Sequence, residues 1–252
     1  MIYTPAMKDP THTDTSEKHE HKSGHSEDTR RAIILAAIRL IAEHGIHGAS
    51  LRAINVAAGS RNSSAAHYHF GSKHSMVEAA LAAIYGEVSG PQDRLFAALE
   101  ERVAQGRPVG VREVLEAAYL PYLALLSTED YGLPAAKFVS RVLVESDTEI
   151  QAVLNGLVAP AMHRGLALLR YALPHVPEDV LKRRLFITVT NVVHGAGDVQ
   201  AVQNSPFGDL SGDSPLDMLH VLFEYLNAAV SAPSGAMTPA DMTRMGATLF
   251  PS

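Results

Sequence analysis

From Thr29 onward apolar residues return every three or four positions. Ile33, Ile34, Ala37, Ile38 and Ile41 fall on one helical face, with Arg30, Arg31, Arg39 and Glu43 off it. Asp28 or Thr29 suits the start of this helix and Gly45 its stop. A two-turn stretch follows, opened by Ser50, with Leu51, Ile54 and Ala58 on one face and Gly59 at its end. So short a helix is stable only when packed on neighbours. Then comes a segment of small and polar residues, from Ser60 to Phe70, in which Asn62 suits a cap; Gly71-Ser72 closes it. A fourth helix is marked by Met76, Val77, Ala80, Leu81 and Ile84. Beyond Pro91 the period stays helical over 92–105, 111–127, 132–145, 148–173, 178–202 and 215–231, with kinks expected at Pro121 and Pro160 and a loop over 204–214. No alternating strand pattern occurs, so the fold class is all-α.

Two short helices meeting at Gly59, braced by a longer helix on each side, predict a helix-turn-helix module. Its second helix lacks the bulky apolar face of a core helix. Ser63, Ser64 and Ala65 would let the backbone approach a major groove, while His67 and Tyr68 reach phosphates or base edges. Ala66 and Phe70 read as buried anchors and His69 as a packed brace.

Charge supports this division. The chain of 252 residues carries a formal −6, yet residues 28–75 hold six Lys/Arg against two acids. A basic stretch on an acidic protein orients it toward a phosphate backbone. Cysteine is absent, which removes disulfides and thiolate metal sites. No apolar run approaches the ~18 residues of a membrane span, and the N-terminus lacks the apolar core of a secretory signal; the cytoplasm and no membrane partner are expected. The domains expected are a disordered leader at 1–27, a DNA-binding domain at 28–75, a helical effector-binding and dimerisation domain at 76–231 and a weakly ordered tail at 232–252.

From Arg30 to Met76 the chain resembles the DNA-binding domain of the TetR family. The resemblance rests on the Ile/Ala-rich helix closing in Glu43-His44-Gly45, then Ser50-x-x-x-Ile54, Ala58-Gly59, Tyr68-His69-Phe70 and Ser72-Lys73. It departs at His67, where the family usually has Tyr, at His74, where it usually has Glu, and in a turn longer by one residue. The resemblance implies a homodimer on a double-stranded DNA operator, and a variable helical domain whose small-molecule effector releases the DNA. Carried over by position, Ser50 caps its helix and touches a phosphate, and Lys73 binds another; Arg52, Arg61, Asn62, Ser63, Ser64, Ala65, His67 and Tyr68 complete the DNA-facing set. No cofactor is implied beyond an organic effector.

The helices at 178–202 and 215–231 are apolar on more than one face, which predicts pairing with a second copy through Leu185, Val189, Val193, Leu219, Phe223 and Leu226. Effector-pocket candidates are Tyr119, Tyr122, Arg141, His163, Asn191 and His194. Catalysis is not expected: no P-loop, dinucleotide fingerprint, nucleophile elbow or HExxH is present. Two other readings remain, a metal-responsive regulator using His12, His19, His21 and His25 of the leader, and an architectural DNA binder without a ligand. No metal site is assigned.

Overall fold

A computed structural model describes residues 16–60, 62, 64–129, 131–145, 147–210, 212, 214–235, 240 and 243, with backbone alone at 16–25, 199–200 and 215. The described elements are helices: α1 (Ser16–Gly48), α2 (Leu51–Ala57), α3 (Ala65–Phe70), α4 (Lys73–Ala104), α5 (Val111–Ala124) with a 3₁₀ turn at Leu125–Ser127, α6 (Gly132–Leu143), α7 (Thr148–Ala172), α8 (Glu178–Gly197), α9 (Val199–Gln203) and α10 (Pro215–Ser231). The chain forms two compact units, Met1–Ala80 and Leu81–Ser252.

In the smaller unit α1, α2 and α3 pack on one another. Ile33, Ile34, Ala37, Ile38 and Ile41 of α1, Ile54 of α2, Phe70 of α3 and Met76 and Val77 of α4 form its core. The helical run of α1 is interrupted at Gly45, whose φ of 74° and ψ of 170° no side-chain-bearing residue adopts comfortably. Its start differs from expectation. The backbone is helical from Ser16, within the segment expected to be disordered, because a helix already nucleated from Thr29 extends upstream at little further cost. Residues 1–15 lie outside the description.

The fourth helix and the helical stretch expected at 92–105 are one element. α4 runs through Pro91 to Ala104, so the two units divide within one continuous helix. A proline removes one helical hydrogen bond, and just beyond it α4 is tied to α7 by side-chain contacts. Arg164 of α7 bonds Asp93 at 2.8 Å and Glu100 at 2.7 Å, and its guanidinium lies 5.2 Å from the Phe96 ring centroid.

In the larger unit α5 packs against α7 and α10, and α8 against α6, α7 and α10. Glu113 accepts from the Gly110 N–H at 2.8 Å and pairs with Arg102, fixing the entry to α5. Arg184 of α8 donates to the Val230 and Ala232 carbonyls at 2.8 and 2.6 Å, closing the C-terminal end of α10. The helix expected to reach 202 stops at Asp198 (φ −127°, ψ 56°), just after Gly197 lets α8 approach α6; a Cβ there would lie 2.9 Å from that of Ser140. By length and composition α7 is apolar enough to span a bilayer. Its packing on three helices and its Arg164 bonds make it a domain helix here.

Candidate nucleic-acid interface

The smaller unit presents its polar residues around α2 and α3. Ser50 Oγ accepts from the Ala53 N–H at 3.1 Å, capping α2. α2 ends at Ala58, and the chain turns at Gly59 (φ 68°). The turn is held by a residue that sequence reasoning missed. Asn55, 2% exposed, donates from Nδ2 to the Asn62 carbonyl at 2.5 Å. Its Oδ1 accepts the Ala66 N–H at 3.1 Å. One buried amide therefore locks the turn and the first free N–H groups of α3 to α2. Asn62 Oδ1 accepts from the Ser64 N–H at 3.0 Å, tightening the turn from the other side.

On α3, Ala65, Ala66 and Phe70 are buried, His69 is half-buried, and His67 and Tyr68 stand out, Tyr68 at 82% exposure. A large, solvated aromatic on a six-residue helix is not a packing residue. Tyr68 meets His69 edge-on at 5.3 Å, and Arg30 of α1 lies over the Phe70 ring at 5.4 Å. An open depression lined by Leu51, Arg52, Ala66 and His67 joins α2 to α3. Ser50, Arg52, Asn62 and Ser64 are exposed. Arg61 and Ser63 lie outside the described residues. Ala65 corrects the expectation: it is 5% exposed and faces inward, because the bond from its neighbour Ala66 to Asn55 turns that side of α3 onto α2. Lys73 is partly committed, its Nζ donating to the Ile46 carbonyl at 2.8 Å and joining the start of α4 to the end of α1.

The larger unit encloses a cavity of about 70 Å³ between α4, α5, α7 and α8. Tyr119 and Tyr122 line it together with Tyr85, Gln92 and a wall of Val, Leu, Ala and Met. Burial pushes all three phenols far above their ordinary value, so they stay protonated.

Two family descriptions match the chain: "Bacterial regulatory proteins, tetR family" over residues 33–80 and "Tetracyclin repressor-like, C-terminal domain" over residues 116–229. The chain belongs to the TetR family. It is accordingly a DNA-binding transcriptional regulator, with α2 and α3 as the helix-turn-helix of a TetR-family head. Solved structures with a similar fold include the fatty acid degradation regulator FadR from Bacillus halodurans, 18% identical, with a TM-score of 0.55 over 79% of this chain and 94% of that one. FadR from Bacillus subtilis, in complex with stearoyl-CoA, is 16% identical, with a TM-score of 0.53 over 79% and 98%. NalD from Pseudomonas aeruginosa, the secondary repressor of the MexAB-OprM multidrug efflux pump, is 19% identical, with a TM-score of 0.51 over 80% and 96%. No curated protein sequence matches.

Within this TetR-family domain several expected residues fall elsewhere. Arg141, His163 and Asn191 are exposed and do not line the cavity, and His194 is bonded through Nδ1 to Ser140 Oγ at 2.7 Å. His163, Asn191 and His194 each sit next to a wall residue, and one step along a helix turns a side chain by about 100°; Arg141 lies on α6, which contributes no residue to the wall. Four of the six expected dimer residues are corrected, Leu185, Val193, Phe223 and Leu226 being buried within one copy. Leu185, Val189 and Val193 form cavity wall, while Phe223 and Leu226 are buried in their own domain and Leu219 is half-buried. The apolar face left open on α8 and α10 belongs to Phe186, Ile187, Leu216, Val221 and Tyr225. The leader histidines His12, His19, His21 and His25 have side chains outside the described residues. Among the described residues no group of three or more His, Asp or Glu side chains is placed to hold a metal.

Proposed function

We propose that this TetR-family regulator is a cytoplasmic homodimeric repressor that leaves a pseudo-palindromic operator when a small organic effector enters the larger unit. The observation that carries the operator half is the exposed pair His67 and Tyr68 on a helix whose other side is anchored by Ala66 and Phe70. Such a helix has groups for base edges and phosphates and a fixed orientation from which to use them. Dimerisation is supported by Phe186, Ile187, Leu216, Val221 and Tyr225, too many large apolar side chains on two packed helices to leave in water. A two-fold contact between α8 and α10 of two copies would cover them and repeat the reading helix along the duplex.

Effector control is supported by α4. It begins at Lys73 in the smaller unit and, as one helix, carries Tyr85, Val88 and Gln92 of the cavity wall. A ligand that binds one position of α4 more tightly than another shifts the population by that difference in affinity and by no more. The stearoyl-CoA complex of the B. subtilis FadR and the repressor role of NalD lend this reading support by fold alone. Selection of bound duplexes from a random pool tests the proposal. Enrichment of a short inverted repeat, occupied by two copies, is expected; a pool that stays random sinks it.

A further inference from the structure

Tyr85, Val88 and Gln92 fall at i, i+3 and i+7 of α4 and so share the face that walls the cavity. Four polar side chains line that cavity, and three of them have partners. Thr188 Oγ1 donates its own proton to the Leu185 carbonyl at 2.8 Å, so the Tyr119 hydroxyl, 2.7 Å away, is the donor of their shared bond. The Tyr122 hydroxyl donates to the Ala136 carbonyl at 3.5 Å, and Gln92 Nε2 to the Ala118 carbonyl at 2.7 Å. Among the described residues the Tyr85 hydroxyl makes no hydrogen bond. Tyr85 is half-buried and lines the cavity, and desolvation raises its phenol. A sheltered donor with no acceptor is costly to leave unmet.

The rest of the lining is apolar, and it includes no Lys, Arg, His, Asp or Glu. An anion entering it would lose its hydration with no cation to replace it, and a cation would fare no better. Resting on the effector reading above, we infer that the cavity binds an uncharged, mainly apolar molecule bearing a hydrogen-bond-accepting oxygen, which the Tyr85 hydroxyl orients. At about 70 Å³ the cavity is smaller than the ~150 Å³ that accepts a benzene ring, so room for a ring-sized guest comes from α7. Pro160 has no N–H, so the Gly156 carbonyl lacks its helical donor, and Val158, Ala161 and Met162 of the same stretch line the cavity. That stretch yields more readily than an unbroken helix.

Three probes of one size separate the possibilities: acetophenone with its ketone, ethylbenzene with no acceptor, and benzoate with a charge. Titration calorimetry is run on the full chain, on Tyr85→Phe and on Tyr122→Phe. The full chain should bind acetophenone about three- to tenfold more tightly than ethylbenzene and benzoate not measurably. Tyr85→Phe should abolish the ketone's advantage while leaving ethylbenzene within about twofold, which also shows that the variant is folded. Tyr122→Phe should keep the advantage. Equal binding of ketone and hydrocarbon, an advantage that survives Tyr85→Phe, tight benzoate binding, or no binding of any probe each overturns the assignment. Duplex binding is followed on the same samples. Its absence would sink the regulator reading and leave the ligand pattern standing, whereas intact sequence-specific duplex binding without the Tyr85 pattern overturns the ligand assignment alone.

Discussion

The phenol of Tyr68 stands in water on α3, while the phenols of Tyr85, Tyr119 and Tyr122 are gathered into an apolar cavity and held protonated there. The same functional group thus serves two opposite environments. A duplex brings charge and hydration with it, so a reading head can keep its polar groups wet and exchange water for phosphate or base contacts. A cavity must take its guest out of water, so its few polar groups act through desolvation and each needs an assigned partner. The two units are also braced differently. The head depends on one side-chain amide, Asn55, bridging two short helices and their turn. The larger unit depends on close approaches between long helices and their connections, such as Gly132 against the Leu125 carbonyl and Gly197 against Ser140.

The contrast is broken most forcefully at Gly132. A Cβ there overlaps the Leu125 backbone, so Gly132→Ala should destabilise the larger unit by about 3 kcal/mol or more. Hydrogen exchange should show this in the amides of α6 and leave those of α2 unchanged. Asn55→Ala is the mirror experiment. It strands the Ala66 N–H and removes the bond to Asn62, which should cost the head about 2–3 kcal/mol and release α2 and α3 rather than α6. Loss of both units together in either variant would mean that the bracing is shared.

Tyr68→Ala should change stability by less than about 0.5 kcal/mol in thermal unfolding, since the ring touches little. In fluorescence anisotropy it should weaken binding to the selected duplex by about tenfold. Lys73→Ala is a less clean probe, because it also removes the clasp to Ile46. The smallest effect belongs to the Arg164 network. Hydrogen bonding from Arg164 holds the Glu100 carboxyl below its usual range, so its contribution is complete above about pH 4.3 and fades as pH falls through the lower folded value. Arg164→Ala should cost at most about 1 kcal/mol at neutral pH, because Glu100 is well exposed, and the difference from wild type should shrink in acid.

The head was readable from its sequence because its signals are local. Ser50 caps three residues ahead, Ser72 Oγ accepts from Ser75 N–H at 3.0 Å, and Gly45 and Gly59 mark the ends they occupy. What escaped was the part that depends on a distant partner. Asn55 looked like one more residue of α2 until Ala66, eleven positions on, placed its amide, and that bond also turned Ala65 inward. In the larger unit the apolar stripes of α8 and α10 were visible, but which side of each meets α5 and which stays open is decided by packing between helices far apart in sequence. A one-residue difference separates Leu185 in the cavity wall from Phe186 at 62% exposure. Tyr85 offered a signal in its i, i+3, i+7 spacing with Val88 and Gln92, hidden because the helical stretch holding Gln92 was read as starting after Pro91.

Affinity for the selected inverted repeat and for a scrambled duplex of the same length, measured side by side over a range of salt, bears most directly on the reading head. Sequence-specific contacts from His67 and Tyr68 predict a ratio of about 10³ or more that persists as salt rises. Two affinities that coincide and fall together with salt would show binding to phosphates alone and contradict the account.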